Sequence, residues 1–430
     1  MRYSQPYGLP DPPAIPPSRP PDGSGWPRYV NGNPVVGLAG SIPPATSFDE
    51  DQLEIINVII NAGLVPTHAD LTQLWQSLEI LFARQFITTP IVKTVHGPGA
   101  DFPDLHVAMT WVQNYTITQT GSVTFLVAAG QWVYTTTLEI WHPNANRIFI
   151  QGAALKGGAP SFGNITCTGY SPSARAVDAT NQLVYLRSVF ATELNFTGGV
   201  AGIRNFSFGI TLRYLLLTGT QSIGPNPYDG RGLEIYADVW YDCMAVWGFG
   251  ESGIRVWNCT LRAATSLSMT VCACGTYGIH VLGGGYIGQT NQETIIASCG
   301  QIGFRGFGSW NWFDKLTSKG NGNTGVDLYQ GGFVACITWM DAHHNGSTGV
   351  YMTGQVNLYN QMTYLHENAT FGMVANGGWA QVYNGSFYGN GSFDIDAQAG
   401  ANITAVGATF AGAVTPPVNT VGNANAYIWH

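Results

Sequence analysis

Charge is scarce in this chain. Asp, Glu, Lys and Arg make up 10% of its 430 residues, and only four lysines occur: Lys93, Lys156, Lys315 and Lys319. The formal net charge is -8 and no basic run or stripe is present, which excludes a phosphate-backbone partner and therefore nucleic acid. No apolar stretch reaches the length of a membrane span, so membrane insertion is not expected. The start, MRYSQPYGLPDPP, lacks the charged-then-apolar pattern of a secretory signal. Seven cysteines (Cys167, Cys243, Cys259, Cys272, Cys274, Cys299 and Cys336) form no CxxC pair, and no His spacing completes a zinc site. They read as small buried residues, and the sequence implies neither a metal site nor a cofactor.

What is abundant is glycine, 55 residues, in a chain that is 45% hydrophobic. Low charge with many Gly, Asn, Thr and aromatic residues points to β-structure with frequent turns. Four regions follow. Residues 1–46 are a Pro- and Gly-rich arm that cannot bury a core and is expected to be extended. Residues 47–92 hold two short amphipathic helices. The first is capped at Ser47, with Leu53, Ile56, Ile59 and Ile60 on one face and a stop at Gly63. The second carries Leu71, Leu74, Trp75, Leu78, Leu81 and Phe82. Two such helices make little core alone and call for a partner. Residues 93–150 contain one more helix, with Leu105, Ala108, Met109 and Val112 on its apolar face, and then alternating strands. Residues 151–430 read as strands and turns only.

That last region repeats. Gly253, Gly278, Gly303, Gly325, Gly349 and Gly372 mark equivalent positions, Asp394 fills the next slot, and the steps are 25, 25, 22, 24, 23 and 22 residues. Four residues before each marker stand Phe249, Cys274, Cys299, Asn321, Asn345, Asn368 and Asn390. One residue after stand Ile254, Ile279, Phe304, Val326, Val350, Met373 and Ile395, apolar without exception. Next comes a polar or mixed column, from Arg255 and His280 through Arg305 and Asp327 to Asp396. Period-two alternation in register, turn after turn, specifies a mainly β chain folded as a single-stranded parallel β-helix with turns of about 23 residues. Like residues then stack on like, and the Asn column reads as an interior amide ladder that satisfies turn backbone groups. About 12 turns at about 4.8 Å each give a rod of about 55 to 60 Å.

The repeated turns, together with ADFPDLHVAMTWVQNY and TFLVAAGQWVYTTTLEIWHPNANRIFIQGAAL, resemble the start of a right-handed, pectate-lyase-like β-helix of the kind found in bacteriophage tail fibres and tailspikes. VNGNPVVGLAGSIPPATSFDEDQLEIINVIINAGLVPTHADLTQLWQSL resembles the N-terminal part of phage tail-fibre proteins. The resemblance implies a homotrimer located in the phage tail. Residues 1–92 would join other tail or baseplate proteins, and the rod would meet a bacterial surface glycan or receptor. Many such fibres continue into a distal receptor domain, whereas this sequence reaches AYIWH almost directly after turn-like sequence.

Counting back from the markers gives a second strand. Met244 and Val246, Met269 and Val271, Leu316 and Ser318, Met340 and Ala342, and Thr363 and Leu365 are expected to face inward. Lys315, Thr317 and Lys319, then Trp339, Asp341 and His343, then Met362, Tyr364 and His366 should face outward, with His344 and Glu367 at the turn and Trp310 and Trp312 nearby on one face. Trp310, Trp312, Trp339, Asp341, His343, Tyr364 and His366 are the candidate glycan or receptor contacts, because aromatic faces stack on sugars while carboxylates and imidazoles bond hydroxyls. A contact between chains of a trimer and a merely solvated face are the competing readings. Glycan hydrolysis would need paired acids at about 5 Å or about 6.5 to 9.5 Å. Glu293 with Asp314, one turn apart in nearly the same outward column, is the best pair, and Asp341 with Glu367 the looser one. A calcium-dependent lyase would need an acidic cluster that the sequence does not display. Arg305 beside Asp327 reads as a surface ion pair, and His280 as a lone outward histidine.

Overall fold

The computed structural model describes residues 55–65, 72–83, 86–222, 229–264, 268–288, 293–417 and 426–430. The arm expected over residues 1–46 and the Ser47 cap lie outside them. The chain divides into two units, Met1–Phe86 and Ile87–His430. In the first, residues 55–61 and Gln73–Ala83 are helical. Ile59 is buried there, while Ile60 and Trp75 stay exposed.

In the second unit the strand Pro90–Val95 is followed by the helix Leu105–Val112, which buries Leu105, Ala108, Met109 and Val112, the four positions its periodicity marks. Asp104 caps it by accepting from the Val107 N–H at 2.9 Å. Beyond it the chain is a parallel β-solenoid, and each turn crosses three faces. Sheet 1 has eleven described strands, from Leu138–Ile140 to Ala413–Thr415, each paired in parallel with the strand of the next turn. Sheets 2 and 3 are carried by the rest of each turn. Four strands, Ile210–Thr218, Val239–Trp247, Trp310–Lys319 and Phe333–His343, run through the corner between them, so that one strand serves both faces.

The stacking columns are those of the sequence repeat. Leu233, Ile254, Ile279, Phe304, Val326, Val350, Met373 and Ile395 pair in unbroken register and are fully buried. On sheet 3, Met244, Met269, Thr294, Leu316, Met340 and Thr363 form the facing inward column, also fully buried. Between sheets 3 and 1 the chain turns through a residue with positive φ, such as Ser298, Gly320, His344 or Glu367. The next residue is Cys299 after Ser298 and the Asn of the repeat on the later turns. Asn321 Nδ2 donates to Asn345 Oδ1 (2.9 Å), Asn345 to Asn368 (3.0 Å) and Asn368 to Asn390 (3.0 Å). Each oxygen also accepts the backbone N–H of the preceding ladder residue. The turn Gly is equally constrained: a Cβ on Gly346 would lie 2.2 Å from the Gly322 carbonyl oxygen.

One element departs from the expectation of strands and turns alone. Residues 153–191 leave the solenoid, and Pro172–Val189 forms an 18-residue helix, with Ser171 accepting from the Ala174 N–H and Pro at the helix start. It lies over the outer side of sheet 3, where Ala179, Leu186 and Val189 pack in one cluster with Leu216, Ala245, Cys272, Ile295 and Ala297. Polar groups pin it. Gln182 Nε2 donates to Ser298 Oγ (2.8 Å), Arg175 to the Cys299 carbonyl (3.0 Å) and Trp247 Nε1 to the Ala179 carbonyl (3.0 Å). Its buried stripe includes Asp178 and Gln182, so no apolar periodicity announces the helix. All seven cysteines are free thiols, six of them buried.

Candidate functional site

The corner between sheets 2 and 3 separates residues that the sequence placed together. In Trp310–Lys319 and its neighbour Phe333–His343 the register slips between Phe313 and Lys315. Trp310 and Trp312 therefore face outward from sheet 2, whereas Trp339, Asp341 and His343 face outward from sheet 3. Asp314 sits in the corner itself and accepts a hydrogen bond from Thr338 Oγ1. This breaks the proposed acid pair, because the residue opposite Glu293 is Lys315.

On sheet 2 the outward aromatics form a platform. Trp310 and Trp312 are 59% and 39% exposed. Their rings stand 5.1 and 5.7 Å from the Phe333 ring of the next turn. Tyr286 pairs with Trp310 on the preceding turn, and the Arg262 guanidinium lies over both Tyr286 (5.6 Å) and Trp240 (5.8 Å). Asn311, between the two tryptophans, points inward and is fully buried, which fixes which way both indoles face. Strand hydrogen bonding thus holds the exposed rings on a rigid support.

On sheet 3 the outward column is less exposed than its composition suggests. Thr317 and Lys319 are buried, and Gly320 lies against Cys167, in the segment leading into the covering helix. On the next two turns Asp341 and His343 are 9% and 7% exposed, while Trp339, Tyr364 and His366 are half-buried. Asp341 Oδ1 lies 2.9 Å from His343 Nδ1 and 3.4 Å from His366 Nε2. His366 Nδ1 meets Glu367 Oε2 at 3.0 Å, and His344 Nδ1 lies 3.5 Å from the same oxygen. Burial raises the Asp341 pKa, but hydrogen bonds from His343 and His366 and their charges outweigh it and bring the carboxyl down to about 2. Burial lowers the His366 pKa, and the bonds to Asp341 and Glu367 outweigh it, so the imidazolium is favoured. At neutral pH Asp341 is then an acceptor, not a proton donor, so Asp341 is unsuited to the general-acid role in that pair. Asp341, His343 and His366 also bring three ligand atoms within 4.8 Å of one another. No linear spacing in the sequence reveals this grouping, because its ligand atoms come from two turns.

Sheet 1 adds a region that sequence reasoning treated as plain surface. Arg305, Asp327, Tyr329, Tyr351, Val374 and Asp396 line a shallow groove of about 500 Å³. Arg305 and Asp327 do stack in register, with Nε and Oδ2 3.4 Å apart, but Asp327 is buried and its Oδ1 makes no hydrogen bond. Burial raises its pKa despite the neighbouring guanidinium. The signal was in the column itself: Arg, Asp and Tyr on successive turns of one face.

No protein-family profile and no curated protein match the chain. Among solved structures, the ORF18 protein of Geobacillus virus E2 aligns at 12% identity and a TM-score of 0.33, covering 81% of this chain and 66% of that one. The chain thus spans just under two thirds of that protein's length, and a similarity of this size carries no functional argument.

Proposed function

We propose that this chain is a subunit of a bacteriophage tail fibre or tailspike, joined to the virion through residues 1–92, and that its solenoid binds bacterial surface polysaccharide. The observation that carries the binding role is the sheet 2 platform of Trp310, Trp312 and Phe333. Large exposed rings held on a hydrogen-bonded sheet cost solvation and gain nothing for folding, and they are suited to stacking on sugar faces. The virion role rests on the N-terminal resemblance and on the solenoid, whose rigid, weakly charged rod suits a fibre. Three copies per fibre is part of the same proposal, and the exposed Ile60 and Trp75 of the N-terminal unit are apolar surface suited to association.

Affinity electrophoresis of the purified chain against a panel of capsular polysaccharides and O-antigens tests the reading. The expected result is retardation by one glycan, lost in the Trp310→Ala/Trp312→Ala double variant at an unchanged melting temperature. Equal retardation of the double variant, or none of the parent, would overturn it. Following polymer size in the same mixtures separates binding from depolymerisation, the alternative activity for this scaffold. Sedimentation equilibrium tests the trimer, with three chain masses expected.

A further inference from the structure

The cluster on sheet 3 has a geometry that glycan contact does not require. Asp341 and His343 are two residues apart on one strand and share its outer side, and His366 is the in-register partner of His343 on the next turn. The strand pairing itself therefore converges three side chains. Asp341 Oδ1 is 2.9 Å from His343 Nδ1 and 3.4 Å from His366 Nε2. Tetrahedral donors around Zn²⁺, at bonds of about 2.0 to 2.2 Å, lie roughly 3.4 Å apart. The three ligand atoms, all within 4.8 Å of one another, reach that arrangement by side-chain shifts on the order of an ångström.

The surroundings fit the same purpose. A metal-ligating imidazole commonly gives its other ring N–H to a carboxylate, which fixes the tautomer and raises the basicity of the ligating nitrogen. His366 has that partner: its Nδ1 faces Glu367 at 3.0 Å while Nε2 faces Asp341. Its ring is stacked between His343 (4.6 Å, 6° between planes) and Tyr388 (4.6 Å, 10°); for both imidazole lone pairs to reach one ion, the His343 ring turns out of this stack while Tyr388 and Glu367 keep His366 in place. Glu367 takes its place because the turn residue preceding Asn368 adopts positive φ and projects from the corner. Two imidazoles and a carboxylate are borderline donors that suit Zn²⁺, Co²⁺ or Ni²⁺ better than Ca²⁺ or Mg²⁺.

We propose that Asp341, His343 and His366 form a binding site for one divalent cation of the zinc class, with Glu367 orienting His366. Three protein ligands leave one coordination position for water, as in open sites and unlike closed four-ligand structural ones. The site is independent of the glycan platform, which lies on a different sheet.

The test uses the full chain stripped with a chelator and titrated with Co²⁺ alone, read by visible d–d absorption, with Zn²⁺ competition. One Co²⁺ per chain, displaced by Zn²⁺, is expected. His366→Ala and His343→Ala should abolish the bands, and Glu367→Gln should weaken binding about tenfold. Should His343→Ala fail to fold, the half-buried His366→Ala serves alone, with near-ultraviolet circular dichroism confirming its native state. Absence of saturable binding in the parent overturns the proposal, and so does unchanged binding in a folded His366→Ala chain.

Discussion

The side-chain amide of Asn321 donates to that of Asn345 across 2.9 Å in the fully buried interior, one solenoid turn to the next. Asn345 accepts the Asn321 backbone N–H as well, and donates onward to Asn368 Oδ1 and the Ser318 carbonyl. Replacing it leaves several buried polar groups unpaired at about 1 to 3 kcal/mol each, partly relieved by relaxation. Asn345→Ala should therefore lose about 3 kcal/mol, read from the shift of the urea unfolding midpoint. A loss below about 1 kcal/mol would mean that water replaces the ladder.

Backbone proximity sets a second expectation. Gly346→Ala places a methyl against the Gly322 peptide of the adjacent turn, where neither chain can yield without breaking strand register. It should cost about 2 to 3 kcal/mol. Gly157→Ala, in a segment where nothing lies within 4 Å of the added carbon, should stay within about 0.5 kcal/mol of the parent. Thermal melts of the two variants make the comparison.

His280 should make stability depend on pH. It is flanked in register by Arg255 and Arg305, packs on Tyr277 at 4.4 Å and also faces Arg231. Burial first, and then the repulsion of the three guanidinium groups, depresses its pKa from the ordinary 6.5 to about 3. The unfolded chain then binds a proton that the folded chain refuses. Stability falls as pH drops from about 6.5 toward 3, by on the order of 1 kcal/mol per pH unit over that window. His280→Gln should flatten the profile between pH 6.5 and 4.5, where few carboxylates titrate. Parallel profiles for parent and variant would refute the assignment.

Sheets 1 and 2 offer rival surfaces to a glycan, and single substitutions separate them. Trp312→Ala should weaken polysaccharide binding about tenfold, roughly one aromatic stacking contribution, whereas Tyr351→Ala in the groove should leave it unchanged. The reverse order, measured by calorimetry, would move the binding site to the Arg305–Asp327 groove.

The turns and their contents were legible in the sequence because stacking imposes the same demand at each step. A position that points into a narrow interior must be apolar, or an amide that can pair with its copies. The capping-helix face of Leu105, Ala108, Met109 and Val112 was legible for the same reason. The covering helix was not, since Asp178 and Gln182 in its buried stripe erase the periodicity, although Ser171–Pro172 was an available start signal. The Glu293–Asp314 mismatch was open to counting, since Glu293 stands ten residues before Gly303, and Lys315, not Asp314, stands ten before Gly325. What counting from the markers does not supply is the corner, where one residue separates Phe313 from Lys315 but two separate their partners Cys336 and Trp339. Asp341, His343 and His366 were placed on one outward face correctly. Their convergence on a common point depends on side-chain rotamers, which column counting cannot supply.

The amide ladder also has a direction and an end. Its first oxygen accepts from the Cys299 backbone N–H, every Asn passes a proton bond toward the later turn, and Asn390 gives its last one to Asp394. The other oxygen of that fully buried carboxylate accepts the N–H of Gly412. Both oxygens of Asp394 are already taken as acceptors, so the series closes there. Lengthening such a rod by duplication is therefore easy in the middle and blocked at the tail. A 23-residue unit slipped between Asn345 and Asn368 inherits a giver and a taker, whereas one placed after Asn390 must displace the Asp394 carboxyl that already takes the last donor.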